Sequence, residues 1–200
     1  MEAAAALFPT RIPTAEEEQR IVLHGVPWSV YVMLRDSIES PGVRMTYLEG
    51  VLEIMSPSRG HEVSKKQIAR LLELFCLERD IPLFGYGSTT FRKEKDESGL
   101  EPDECYSRGV DKEVPDIALE VVVTRGAIDK LEVYRRLGIA EIWVYFEGAF
   151  RILALGNNRY RPIPASEVFP EVDLAQLAHF AQMPDQHAAL KAYRDALRRA

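Results

Sequence analysis

The stretch from Val114 to Val123, VPDIALEVVV, constrains this chain more than any other. It is short, nearly all apolar and rich in β-branched side chains. That is the pattern of a strand covered on both faces, near the middle of a sheet. After Asp116 near its start, one charge interrupts the apolar run IALEVVV: Glu120. Burying an isolated carboxylate costs on the order of several kcal/mol, so such a group needs a partner or loses its charge. Three arrangements answer this from the residues alone: a structural ion pair, a position on the strand's solvent side, or a metal site shared with other acids.

The rest of the chain supplies elements to surround that strand. VPWSVYVMLRDSIES has the spacing of a short amphipathic helix, with Pro27 suited to its first turn. VRMTYLEGVLEIMSP predicts a hairpin around Glu49-Gly50, stopped by Pro57. The clearest helix follows, with Ile68, Leu71, Leu72 and Phe75 on one stripe and Lys65, Lys66 and Arg70 off it. STTFRKEK, LEPDECYS and VPDIALEVVV predict three successive strands. DKLEVYRRLG predicts a helix ended by Gly138, AEIWVYFEGAFRILAL two strands around Glu147-Gly148, and the segment after Pro184-Asp185 a terminal helix. This mixture predicts an α/β or α+β protein with a mixed sheet between helices.

Residues 1–18 suggest a poorly ordered or loosely docked tail, and 19–200 one domain. No apolar run reaches the ~20 residues of a membrane span, and the start lacks the basic and apolar regions of a secretory signal. Cys76 and Cys105 are too few for a disulfide framework and lack zinc-ligand spacing, which favours the cytoplasm. The net charge of −6 argues against a general DNA coat, so Arg59, Lys65, Lys66, Arg92, Lys93 and Lys95 are taken mainly as solvated surface.

Context strengthens the metal reading of Glu120. Asp103 falls in the preceding predicted strand, where it can approach Glu120 across a ladder. Two carboxylates that close repel, and a divalent cation such as Mg2+ relieves that. Asp116, four residues before Glu120, shares its strand face but stands ~13 Å away at ~3.3 Å per residue. It suits a strand start or turn better. Lys130, in the first turn of the next helix, can fold back over the strand's end or remain a solvated lysine. Asp129 beside it suits the helix N-terminus.

Taken together, YLEGVLEIMSPSRGHE, GLEPDE, VPDIALEVV and DKLEVYRRLGIAEIWVY resemble the Uma-type (Uma-two) restriction endonucleases of the PD-(D/E)xK nuclease superfamily. The resemblance runs over roughly residues 27 to 190. It implies an αβββαβ core and cleavage of DNA phosphodiesters with Mg2+ or Mn2+. By the same resemblance Asp103 and Glu120 are metal-binding acids, the Val121 carbonyl a further ligand, and Lys130 the catalytic lysine. Glu62 matches a helix-borne acid and His61 a residue that orients a ligand or water. A homodimer, its surface supplied by WVYF and FRILAL, is an inference from the superfamily. The chain departs from the pattern in EVVVTRG, where Thr124 replaces a common serine, and in Glu104, an added acid. Those departures keep a catalytically inactive binding module as the alternative.

Overall fold

In the computed structural model, which describes residues 18–199 apart from 39, 41, 124 and 125, two sheets share the strands. The first contains β1 (Gln19–His24), β2 (Arg44–Leu48), β3 (Val51–Ser56), β5 (Phe91–Lys93) and β6 (Ser98–Leu100), in the order β1-β3-β2-β6-β5, all antiparallel. The second contains β4 (Leu83–Gly85), β7 (Glu104–Arg108), β8 (Ile117–Val121), β9 (Glu141–Phe146), β10 (Ala149–Gly156) and β11 (Arg159–Ile163), in the order β11-β10-β9-β8-β7-β4. Only β8 and β9 pair in parallel, joined through α3 (Lys130–Leu137). The helices α1 (Trp28–Ser37), α2 (Arg59–Glu78), α4 (Leu174–Ala181) and α5 (Gln186–Leu197) complete the chain.

Local chemistry explains the turns. Glu49 and Gly50, at φ 45° and 86°, and Glu147 and Gly148, at 49° and 80°, have the doubly left-handed backbone that matches strand twist in two-residue hairpins. Ser58 caps α2 by accepting from the His61 amide. Asp129 and Asp185 do the same for α3 and α5.

The strand Ile117–Val121 is buried along its whole length, as its composition requires. Its alternation sorts two cores. Ile117, Leu119 and Val121 join Ile68, Leu71, Leu72 and Phe75 of α2, with α4 and α5 residues, on one face. Ala118 joins Val133 and Tyr134 of α3 on the other. Glu120, between them in phase with Ala118, is therefore turned toward α3. The series α2-β4-β7-β8-α3-β9 supplies the αβββαβ order in the second sheet.

Several expectations are corrected. The strands divide between two sheets because LEPDECYS is not one strand. Residues 101–103 form a corner between β6 and β7, where Pro102 has no N–H for a ladder. Glu101, buried there, accepts from the Met45 amide at 3.1 Å and Thr90 Oγ1 at 2.7 Å. STTFRKEK keeps only three strand residues. β1, β4, β11 and α4 were not anticipated as separate elements. Lys65, expected off the buried stripe, is itself buried, its amine held by Glu62 at 2.6 Å. Within WVYF, Trp143 and Tyr145 are buried; β9 lies between β8 and β10, and β11 pairs with the far edge of β10. Of the expected tail, Glu18 is docked, its side chain fully covered; residues 1–17 and Thr124 lie outside the described residues. No helix among the described residues is long and apolar enough to cross a membrane.

Candidate active site

The register brings the two acids together. Glu104 pairs with Leu119, so Asp103 falls opposite Glu120 one step further along the antiparallel pair. The main chain links them: Val122 N–H donates to the Tyr145 carbonyl at 2.9 Å, which turns Val121 to the opposite edge. There Val121 N–H donates to Asp103 Oδ2 at 2.8 Å, and its carbonyl leaves the strand on that same side. Asp103 and Glu120 are 3% and 6% exposed.

Every carboxylate oxygen of the pair has a protein donor. Asp103 Oδ1 lies 2.8 Å from His61 Nε2, and Oδ2 takes the Val121 amide. Glu120 Oε2 accepts from Lys130 Nζ at 2.7 Å, and Oε1 accepts from the Tyr134 hydroxyl. Lys130 thus folds back over the end of the strand that its helix follows, and Tyr134, one helical turn later, reaches the same glutamate. The i, i+4 spacing of Lys130 and Tyr134 on α3 is the sequence signal that marks Tyr134.

The charges respond to this packing. Burial acts to raise the Asp103 pKa, but His61, the Lys130 charge and the Val121 amide outweigh it, so the carboxyl is held below its usual range. Glu120 moves up: burial dominates, Lys130 opposes it, and the neighbouring Asp103 adds repulsion. For Lys130, burial favours the neutral form, yet Glu120 and Asp103 overcome it and keep the ammonium. His61 likewise moves up, because Asp103 and Glu18 together outweigh the cost of its burial.

These groups border one cavity of about 540 Å3, lined by Arg20, His61, Glu120, Val121, Gly126 and Lys130 among others. Asp103 stands behind its wall, bonded to two lining residues. The sequence-predicted residues Asp103, Glu120, Val121, Lys130 and His61 therefore converge. Glu62 does not join them. It follows His61 by one residue, a turn of about 100° around the helix. Its carboxylate pairs with Lys65 at 2.6 Å beside a separate cleft, about 430 Å3, that also holds Arg59 and Lys66. Asp116 serves the loop before β8, accepting from the Arg108 amide at 2.9 Å and Lys112 Nζ at 2.7 Å. Glu104 alternates to the α2 face, where burial raises its pKa against the pull of Lys66 and Lys65. No group of three or more His, Cys, Asp or Glu side chains among the described residues is arranged to hold a metal ion.

Besides Tyr134, three participants were missed from sequence: Glu18, Arg20 and Glu53. Glu18 Oε1 lies 2.7 Å from His61 Nδ1, so the ring bridges two carboxylates. Arg20 donates to Glu53 Oε1 at 2.6 Å, and Glu53 Oε2 accepts from the Ala127 amide at 2.6 Å. These partners lie dozens of residues apart, and no local pattern marks them.

No curated protein matches the chain. Residues 29–183 match the model of the Uma2 family, whose description reads "putative restriction endonuclease". That span contains His61, Asp103, Glu120 and Lys130 and most of both sheets. The chain belongs to the Uma2 family.

Proposed function

We propose that the chain is a divalent-metal-dependent endonuclease that hydrolyses DNA phosphodiester bonds, with Mg2+ or Mn2+ as its cofactor. One observation carries this reading: Glu120 and Lys130, from a strand and a helix, line a single cavity, and Asp103, from a corner, backs its wall through His61 and the Val121 amide. The family description points the same way.

The residues fit such an ion. Asp103, Glu120 and the Val121 carbonyl are hard oxygen donors, and Mg2+ characteristically takes one or two carboxylates and fills its shell with water. Each carboxylate oxygen accepts one protein donor and keeps lone-pair capacity beyond it. The cavity has room for water and a phosphate group. When bound, the ion would supply positive charge to the phosphate oxygens and acidify the attacking water.

The protein's own part is orientation and charge. His61 and the Val121 amide fix Asp103, while Lys130 and Tyr134 fix Glu120, so both carboxylates are set before substrate arrives. The Lys130 ammonium offsets negative charge gathering on the phosphate in the transition state. A pair of chains would let both strands of a duplex be cut in one encounter. Two free, buried cysteines support a reducing compartment such as the cytoplasm.

Purified chain is expected to cut duplex DNA only with Mg2+ or Mn2+. Asp103→Asn and Glu120→Gln are each expected to lower the rate by about 100-fold or more. A contaminant-free preparation that binds neither ion by calorimetry would refute the reading. The second reading, an inactive nuclease-fold module, is favoured by the complete set of protein donors around both acids. It expects DNA or protein binding to be unchanged in the same two variants.

A further inference from the structure

β1 lies outside the segment that carries the family match, yet it reaches both halves of the site. On one side, Glu18, immediately before the strand, meets His61 Nδ1 at 2.7 Å, and His61 Nε2 meets Asp103 Oδ1 at 2.8 Å. All three side chains are almost dry: Glu18 is 0% exposed, His61 2% and Asp103 3%. On the other side, Arg20 donates to Glu53, which also accepts from the Ala127 amide in the segment that leads into Lys130. Gly126 allows that approach, since a Cβ there would come within 2.8 Å of Glu53 Oε1.

An imidazole bonded through one nitrogen only can rotate about its χ angles and carry the other nitrogen away from its target. A carboxylate on the far nitrogen removes that freedom. In metal sites such outer partners of a histidine commonly change affinity or activity by about 10–100-fold. Here both ring nitrogens are taken by carboxylates, so the histidine is not itself a ligand. It holds the acid that would.

We propose that Glu18 is a positioning residue of this site: through His61 it fixes the carboxylate of Asp103, so that the N-terminal strand completes a centre whose other parts lie within the family segment. The proposal rests on the nuclease reading. Glu18 Oε2 also accepts from Arg20 Nη2 at 3.2 Å, but only the His61 bond leads to Asp103, so the proposal predicts that Glu18 has no effect of its own on Mn2+ binding once His61 is removed.

The test uses the full chain and its variants Glu18→Ala, Glu18→Gln, His61→Gln and the double variant Glu18→Ala/His61→Gln. Calorimetry with Mn2+ alone measures affinity, and cleavage kinetics on a fixed duplex separate kcat from KM. Glu18→Ala is expected to weaken Mn2+ binding and lower kcat by about 10-fold or more, with KM for DNA within about twofold. Glu18→Gln, which keeps an acceptor oxygen for Nδ1–H and guards against a simple folding defect, should fall between Ala and wild type. In the His61→Gln background the Glu18→Ala change should add nothing, a strongly non-additive cycle. Unchanged Mn2+ affinity and kcat in Glu18→Ala, or losses that simply add in the double variant, overturn the positioning role while leaving the nuclease reading intact. Wild-type chain that takes up no Mn2+ overturns both.

Discussion

Lys130 Nζ lies 2.7 Å from Glu120 Oε2, ten residues apart in sequence and joined only because α3 turns back on the strand before it. The pair explains how a carboxylate sits in the apolar run IALEVVV. It is held by one cation and one phenol from the same helix face. Lys130→Met should leave a buried acid with Tyr134 as its main donor. Because the Lys130 side chain keeps 26% of its surface in water, the cost should be about 2 kcal/mol, below the ~3–5 kcal/mol of a fully dry pair. The sign with pH follows. Glu120 is already raised above its ordinary 4.5, and losing the lysine raises it further. The contribution of Glu120 to stability is then fully present below about pH 4.5 and is lost as pH rises through its higher folded value. Urea unfolding at pH 7 and at pH 4.5 checks this; equal stability of wild type and variant at pH 7 would count against it.

Glu141 is a buried acid of a different kind. Its side chain accepts from Trp143 Nε1 at 2.9 Å, Ser166 Oγ at 2.6 Å and the amides of Glu167 and Val168 at 2.6 and 3.0 Å. It fastens the segment after β11 onto the sheet. Glu141→Ala strands all four donors and should cost about 3 kcal/mol or more, measured by urea unfolding. Folded Glu141→Ala chain should still bind Mn2+ like wild type, and an equal loss of binding there would mean that the two acids are linked.

Tyr31 packs against Trp28 and Tyr47, with ring centroids 5.1 and 4.9 Å away. Its hydroxyl is buried over Gly99 and finds no hydrogen-bond partner among the described residues. Burial pushes its ionisation up. Tyr31→Phe removes an unsatisfied polar atom and keeps the ring, so stability should rise by about 1 kcal/mol. Tm should rise by about 2–4 °C in calorimetry. A lower Tm would show that the hydroxyl is satisfied after all.

Burial pushes the thiols of Cys76 and Cys105 from 9.0 up to about 12. Neither should react with a thiol reagent at pH 8 in the folded chain, and both should react in urea. Thiols raised in this way stabilise the fold fully below about pH 9 and cease to as pH rises through about 12. Rapid labelling of native chain at pH 8 would contradict the burial of both.

Much of this architecture was legible because it depends on neighbours in sequence. The dry strand was announced by its β-branched run, the left-handed hairpins by Glu-Gly pairs, and α2 by a stripe at helical spacing. The Asn157-Asn158 turn into β11, at φ 50° and 61°, carries a similar local signal, since Asn tolerates the left-handed backbone. The corner at Pro102 was harder, since Glu101 anchors it to Met45 and Thr90, far away in sequence.

By itself the sequence determined that Glu120 lies in a buried strand, that Asp103 falls near it, and that Lys130 opens the next helix. Those follow from periodicity and turn chemistry over a few residues. Only the tertiary structure decided that Lys130 folds inward, that Glu62 turns to Lys65 while His61 turns to Asp103, and that Glu18 and Arg20 close the site. The reason is physical. Helix phase and strand register are local, but whether a charged side chain meets water or a buried partner depends on which distant surface packs against it.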